Sequence, residues 1–181
     1  SSSNAAAIQL GMWVSGSNKA FIREMNAEAK NLHLTKSSVT SACGLNNSDM
    51  SIFGLKVRGG KSGTNMMSAA DVAELSRLLV EKYPDVLTTS SIKSIKVKGK
   101  KISSTNKLLT GNALSKKAKA YKIDGLKTGY TKRAGSCLVA TAMPDGKHRT
   151  ITVILNDSDK FEDAYNLIKN IYKKNKIRTA A

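Results

Sequence analysis

The chain has 181 residues, 40% of them hydrophobic and 24% charged, a composition that excludes disordered, collagen-like and Pro-rich classes. Thirty Lys and Arg against thirteen Asp and Glu give a net charge of +17. Residues 1–90 hold 9 basic and 7 acidic side chains and residues 91–181 hold 21 and 6, so the second half attracts polyanions such as nucleic acid, anionic lipid or an anionic wall polymer.

Elements follow from periodicity. After Asn4, the run Ala5, Ala6, Ala7, Ile8, Leu10, Met12, Trp13 and Val14 predicts a mostly buried helix that ends near Ser15-Gly16-Ser17. A second helix over about 18–32 aligns Phe21, Ile22, Met25, Ala29 and Leu32 on one face. Residues 33–67 are loop-rich, punctuated by Gly44, Gly54, Gly59, Gly60 and Gly63. Ser68 offers an N-cap hydroxyl to a third helix, with Asp71 three residues on, and Pro84 stops it.

The second half is strand-rich. Ile92, Ile95, Val97 and Ile102 predict a ribbon turning at Lys98-Gly99-Lys100, and residues 121–131 predict a strand. Residues 135–143 and 147–155 predict two more, joined by the turn Pro144-Asp145-Gly146. A last helix starts at Asp159, with Glu162 at the capping-box position, and buries Phe161, Ala164, Leu167, Ile168 and Ile171. Helices, then antiparallel strands, then one helix make an α+β layout, read as a helical part over 1–90 and a sheet part over 91–181 of one domain.

Several groups carry no chemistry on this pattern. Cys43 and Cys137 lie far apart with no metal-knuckle spacing and read as two small buried hydrophobes. His33 at a helix end and His148 at a strand start suit solvated or capping roles rather than a metal site. The segment Asp124-Gly125-Leu126-Lys127-Thr128-Gly129-Tyr130-Thr131 is different. An ammonium and a hydroxyl side by side on a strand can hold a carboxylate by charge-assisted hydrogen bonds. Gly129 removes a side chain where a substrate would lie, and the Tyr130 N–H can face a developing oxyanion.

Lys127-Thr128-Gly129 together with Ser2-Ser3-Asn4 resembles two of the three motifs of the penicillin-recognising serine enzymes, Ser-x-Asn and Lys-Thr-Gly. Longer stretches are similar to the low-molecular-mass penicillin-binding proteins, the D-alanyl-D-alanine carboxypeptidases. These are Ala20 to Leu45, with Phe21, Met25-Asn26, Ala29, Leu32, Thr35 and Gly44-Leu45, then Met67 to Ala73, Ser104-Thr105-Asn106-Lys107-Leu108-Leu109, and Ala134 to Ala140. The resemblance implies a beta-lactamase/transpeptidase-like fold. It implies a serine-type hydrolase of peptidoglycan stem peptides, trapped by beta-lactams as an acyl-enzyme. Ser2 would relay a proton, Asn4 would bond the substrate amide, Lys127 would supply charge, Thr128 would bind the terminal carboxylate, and Gly129 and Tyr130 would line the site. No metal or organic cofactor is implied, nor nucleic acid as a partner, and the location implied is extracytoplasmic, at the cell surface or secreted.

The family's nucleophile lies in a Ser-x-x-Lys upstream of Ser-x-Asn, so the resemblance implies an N-terminal segment of the same protein outside these residues. Ser90 with Lys93 and Ser104 with Lys107 share that spacing but lie in a polar run and a loop approach, and are read as coincidences. Two further readings compete. A beta-lactamase would need a Glu to activate the deacylating water, with Glu24 and Glu28 as candidates. A non-enzymatic basic module would use Lys96, Lys98, Lys100, Lys101, Lys116, Lys117, Lys119 and Lys122 on nucleic acid or wall polymer.

Overall fold

The computed structural model describes residues 2–53 and 63–177. Gly54, Gly59 and Gly60, among the loop glycines, lie outside the described residues. The chain divides into two compact units, Ser2–Leu75 and Ser76 onward.

The first unit is built on two helices, α1 (Asn4–Ser15) and α2 (Asn18–Asn31). Ser3 caps α1 by accepting the Ala6 N–H at 3.3 Å, and Ser17 caps α2 by accepting the Ala20 N–H at 3.1 Å. Between them Gly16 adopts a left-handed φ of 74°, so the reversal needs glycine. Gly11 permits the helices to meet, since a Cβ there would stand 2.3 Å from the Phe21 ring. The expectation that α1 is mostly buried fails. Ile8 and Gly11 are buried, whereas Leu10, Trp13 and Val14 are 62%, 83% and 63% exposed. A helix apolar on all sides gives no periodic signal for which side is covered, and in its unit α2 covers the Gly11 side.

The loop-rich stretch is held by side chains that replace a sheet. Asn26 bonds the Val39 main chain in both directions, accepting its N–H at 3.0 Å and donating to its C=O at 2.7 Å. Asn65 accepts the Thr40 N–H and donates to the Leu45 C=O. Asp71, in the first turn of α3 (Ala69–Lys82), accepts from the Lys36 N–H at 2.8 Å and the Ser37 hydroxyl at 2.7 Å. That clamps the short pair β1 (Ser37–Ser38) and β2 (Met66–Met67). The Ser37 hydroxyl, with the Lys36 N–H, holds the Asp71 carboxyl below its ordinary range against a smaller opposing desolvation. Ser68 caps α3 through the Asp71 N–H, as its sequence predicts.

The second unit centres on an antiparallel sheet of β5 (Ile123–Thr131), β6 (Gly135–Ala142) and β7 (Thr150–Ile154), in the order β5-β6-β7. Leu138, Ala140 and Ala142 alternate along β6 and pack on Ala164, Ile168 and Tyr172 of α6 (Lys160–Lys174). The small alanines let the helix approach, and the Tyr172 hydroxyl sits 2.8 Å from the Ala142 C=O and 2.7 Å from the His148 C=O. The remaining elements are α4 (Val86–Ser90), the ribbon β3 (Ser94–Val97) with β4 (Lys100–Ser103), and α5 (Ala113–Ala118) with a 3₁₀ turn at Lys119–Tyr121. Ile95 pairs Ile102 across the ribbon, whose turn residues Lys98 and Gly99 both take positive φ, the primed geometry that suits a two-residue hairpin.

Several local expectations need correction. Asp159 precedes α6 without a side-chain cap bond, because the local turn is made by Asp157, which accepts the Asp159 N–H at 2.7 Å. Leu167 is 44% exposed, and Tyr165 and Tyr172 fill the core instead. Cys43 and Cys137 are free and only half-buried. The short helices α4 and α5 fell below the length at which periodicity gives a signal. His33 takes a φ of 56° at the end of α2, a capping conformation. Among the described residues no helix is long and apolar enough to cross a membrane, and no group of three His, Cys, Asp or Glu could hold a metal ion.

Candidate active site

β5 is paired on one side, with β6, and its residues register Lys127 with Val139, Thr128 with Leu138, Gly129 with Cys137 and Tyr130 with Ser136. Along a strand the main-chain groups alternate, so those of Thr128 and Tyr130 share one edge and those of Gly129 face the other. The strand is fixed at its start. Asp124 stands at a register shift, accepts two bonds of 2.9 Å from the Arg149 guanidinium and one of 2.5 Å from the Thr141 hydroxyl, and so ties β5 to β6 and β7. Its C=O accepts the Ser90 hydroxyl at 2.9 Å, which brings α4 so close to β5 that a Cβ on Gly125 would lie 2.6 Å from the Ser90 Oγ.

The Thr128 and Thr105 hydroxyls lie 2.8 Å apart. Thr105 is held there by its neighbour Asn106, which is buried. The Asn106 Nδ2 donates to the Gly125 C=O at 3.4 Å and its Oδ1 accepts the Leu108 N–H at 3.0 Å. When Thr105 donates, the Thr128 hydroxyl keeps its own proton for an anion in front of the strand. Lys127, one residue before, donates to the Thr128 C=O. Desolvation by its surroundings holds the Lys127 amine below the ordinary lysine range, and the positive charge of Lys160 adds to the effect. Lys160 is itself buried, donates to the Gly129 C=O at 3.2 Å and lies 5.3 Å from the Phe161 ring centre. Gly129 would tolerate a Cβ against Cys137 at 3.7 Å, so what its missing side chain leaves open is the strand surface. Tyr130 is 73% exposed, its ring turned out.

Ser2, Ser3 and Asn4 open α1 in the other unit. Ser3 spends its hydroxyl on the cap, accepting the Ala6 N–H. Ser90 and Ser104 are accounted for structurally, the first by the Asp124 C=O and the second by the Asn106 N–H at 3.2 Å. Sequence reasoning missed Thr105, Asn106 and Lys160 as site residues. Thr105 and Asn106 sit in a stretch already singled out, but nothing in the sequence says that they fold back onto β5. A lysine at the first position of a helix reads as solvated, and no periodicity announces that it is buried.

The D-alanyl-D-alanine carboxypeptidase family model matches residues 1–159. The chain belongs to that family. It is 32% identical over 160 residues to the D-alanyl-D-alanine carboxypeptidase DacD of Escherichia coli, covering 88% of this chain and 35% of that protein. It is 28% identical over 167 residues to DacF of Bacillus subtilis, covering 87% of this chain and 35% of the relative. Among solved structures it superposes on a peptidoglycan synthesis regulatory factor, PBP3, of Streptococcus pneumoniae with a TM-score of 0.82 at 35% identity, over 94% of this chain and 48% of that one. Penicillin-binding protein D2 of Listeria monocytogenes, solved with cefotaxime bound, gives a TM-score of 0.73 at 31% identity, over 93% and 60% respectively. These neighbours establish the beta-lactamase/transpeptidase fold as the one to which this family member's helices and antiparallel strands belong. The chain spans about a third of the length of the curated relatives it matches.

Proposed function

We propose that the chain carries the Ser-x-Asn and Lys-Thr-Gly parts of a serine-type D-alanyl-D-alanine carboxypeptidase, an enzyme of peptidoglycan stem peptides that beta-lactams inhibit. The observation that carries this reading is the hydroxyl of Thr128, 2.8 Å from that of Thr105, on an edge strand where the Lys127 ammonium donates to the Thr128 C=O. A peptide's terminal carboxylate meets there one hydroxyl proton and one positive charge. The carboxylate lies against Gly129, where no side chain intervenes, and the scissile C=O turns towards the Tyr130 N–H, which stabilises the oxyanion as charge develops. Asn4 bonds the substrate's preceding amide and Ser2 relays the proton to the departing D-alanine nitrogen.

The nucleophile is a serine with its lysine in a Ser-x-x-Lys segment of the full protein, outside these residues. It forms the ester acyl-enzyme, D-alanine leaves with the relayed proton, and water releases the shortened peptide. Such a substrate places the protein outside the cytoplasm. Neither Glu24 nor Glu28 supports a beta-lactamase, because Glu24 accepts the Ser15 hydroxyl at 2.6 Å and Glu28 accepts the Asn31 amide at 3.3 Å along exposed α2.

The test is release of D-alanine from a peptide ending in D-Ala-D-Ala by the full-length protein. Stoichiometric, slowly reversed block by a penicillin is expected. Rapid penicillin turnover, or no D-alanine released by a protein that a penicillin does acylate, would contradict the proposal.

A further inference from the structure

Residues 91–123 contain ten lysines and no Asp or Glu. The next carboxylate, Asp124, is taken by Arg149 at 2.9 Å. None of the ten lysines forms an ion pair among the described residues. On the exposed ribbon Lys96 pairs directly with Lys101, a cross-strand arrangement of like charges that costs stability unless an anion lies over it. At the ribbon's base a cavity of about 470 Å³ collects Lys93, Lys116, Lys119 and Lys122 around an apolar floor that includes Leu108 and Ile123. Among the described residues lining it there is no carboxylate. Its size lies within the range of small-molecule sites. All of it belongs to the second unit, and none of its lysines belongs to the candidate active site.

We propose that this cavity and the adjoining ribbon form a second binding site, for a flexible polyanion of repeating phosphodiesters on a polyol backbone, the chemistry of an anionic wall polymer. One phosphodiester enters the cavity, with its polyol carbons on the Leu108 and Ile123 floor, and the next units run along Lys96, Lys98 and Lys101. Nucleic acid shares the phosphates but fits less well. Its single strands bind through aromatic platforms, and the one aromatic residue of 91–123, Tyr121, is committed to the core against Tyr165 and Tyr172, with ring centres 5.7 and 6.1 Å away. A duplex is too thick for a concave site of this volume, whereas a thin polyol chain can enter. The site would hold the protein on the polymer while leaving Lys127 and Thr128 open to peptide.

The experiment titrates the full-length protein against fluorescent poly(glycerol phosphate) and against single-stranded DNA with the same number of phosphates, at several salt concentrations. The polyol phosphate is expected to bind at least tenfold more tightly, with an affinity that falls linearly in log salt. A variant carrying Lys93→Gln, Lys116→Gln and Lys119→Gln, all at exposed positions, should lose tenfold or more and flatten the salt slope by about two. The same variant should acylate with penicillin at the unaltered rate, so a failure here is separable from a failure of the enzymatic reading. DNA binding that equals or exceeds polyol phosphate binding, no measurable binding, or an unaffected triple variant would each overturn the proposal.

Discussion

The approach of α4 to β5 sets the strand that carries Lys127 and Thr128, and Gly125 is where that approach can be measured. A Cβ at residue 125 would lie 2.6 Å from the Ser90 Oγ, 3.3 Å from the Ser90 Cβ and 3.4 Å from the Thr141 Oγ1. Rotating the Ser90 hydroxyl away relieves the first contact but gives up its 2.9 Å bond to the Asp124 C=O, worth about 1 kcal/mol. The 3.3 Å approach to the Ser90 Cβ, which remains, adds a further ~1 kcal/mol of overpacking. Gly125→Ala is therefore expected to cost roughly 2 kcal/mol, or about 4–8 °C in Tm for a chain of this length. The proper assay is a double-mutant cycle with Ser90→Ala, read by denaturant unfolding. Ser90→Ala alone should cost about 1 kcal/mol, and the double variant should cost less than the sum of the two singles by about 1 kcal/mol, because the clashing oxygen is gone. Additive costs would refute the claimed contact.

Other outcomes follow from the same geometry. Gly11→Ala drives a methyl to within 2.3 Å of the Phe21 ring and should lower stability by ~1–3 kcal/mol, seen as a Tm fall, whereas Gly44→Ala meets no neighbouring atom and should show only the cost of its positive φ. Asp71→Asn should flatten the acid limb of the stability curve. The Asp71 carboxyl is held below its ordinary range, so its contribution is full above the unfolded carboxylate value and is lost as pH falls through the lowered folded value. With Lys127 below the ordinary lysine range, penicillin acylation of the full-length protein should fall on its alkaline side earlier than a free lysine would dictate. Lys160→Met should move that limb to higher pH by removing the second positive charge, as an acylation-rate profile would show.

The sequence makes legible what rests on local chemistry. The cap at Ser68, the ribbon turn at Lys98-Gly99 and the Lys-Thr-Gly strand all depend on neighbours within a few residues, and all stand where their residue types require. What stayed hidden depends on packing. The all-round apolar surface of α1 hides which face is covered, and the burial of Lys160 depends on a strand some thirty residues away. Thr105 meets Thr128 through a buried Asn106 that bonds a strand carbonyl, a contact that no spacing rule encodes. The lysine cavity is a middle case, since its charge is plain in composition while its concavity comes from α5 and the 3₁₀ turn after it, elements too short to predict.

The most direct measurement of the anion grip on β5 is the second-order rate at which full-length protein carrying Thr128→Val is acylated by a fluorescent penicillin. Losing one hydrogen bond to a charged group, worth about 1.5–3 kcal/mol, predicts a fall of roughly 10- to 100-fold with the fold intact. An unchanged rate in a folded Thr128→Val protein would contradict the account, because the substrate's carboxylate would then be held somewhere else.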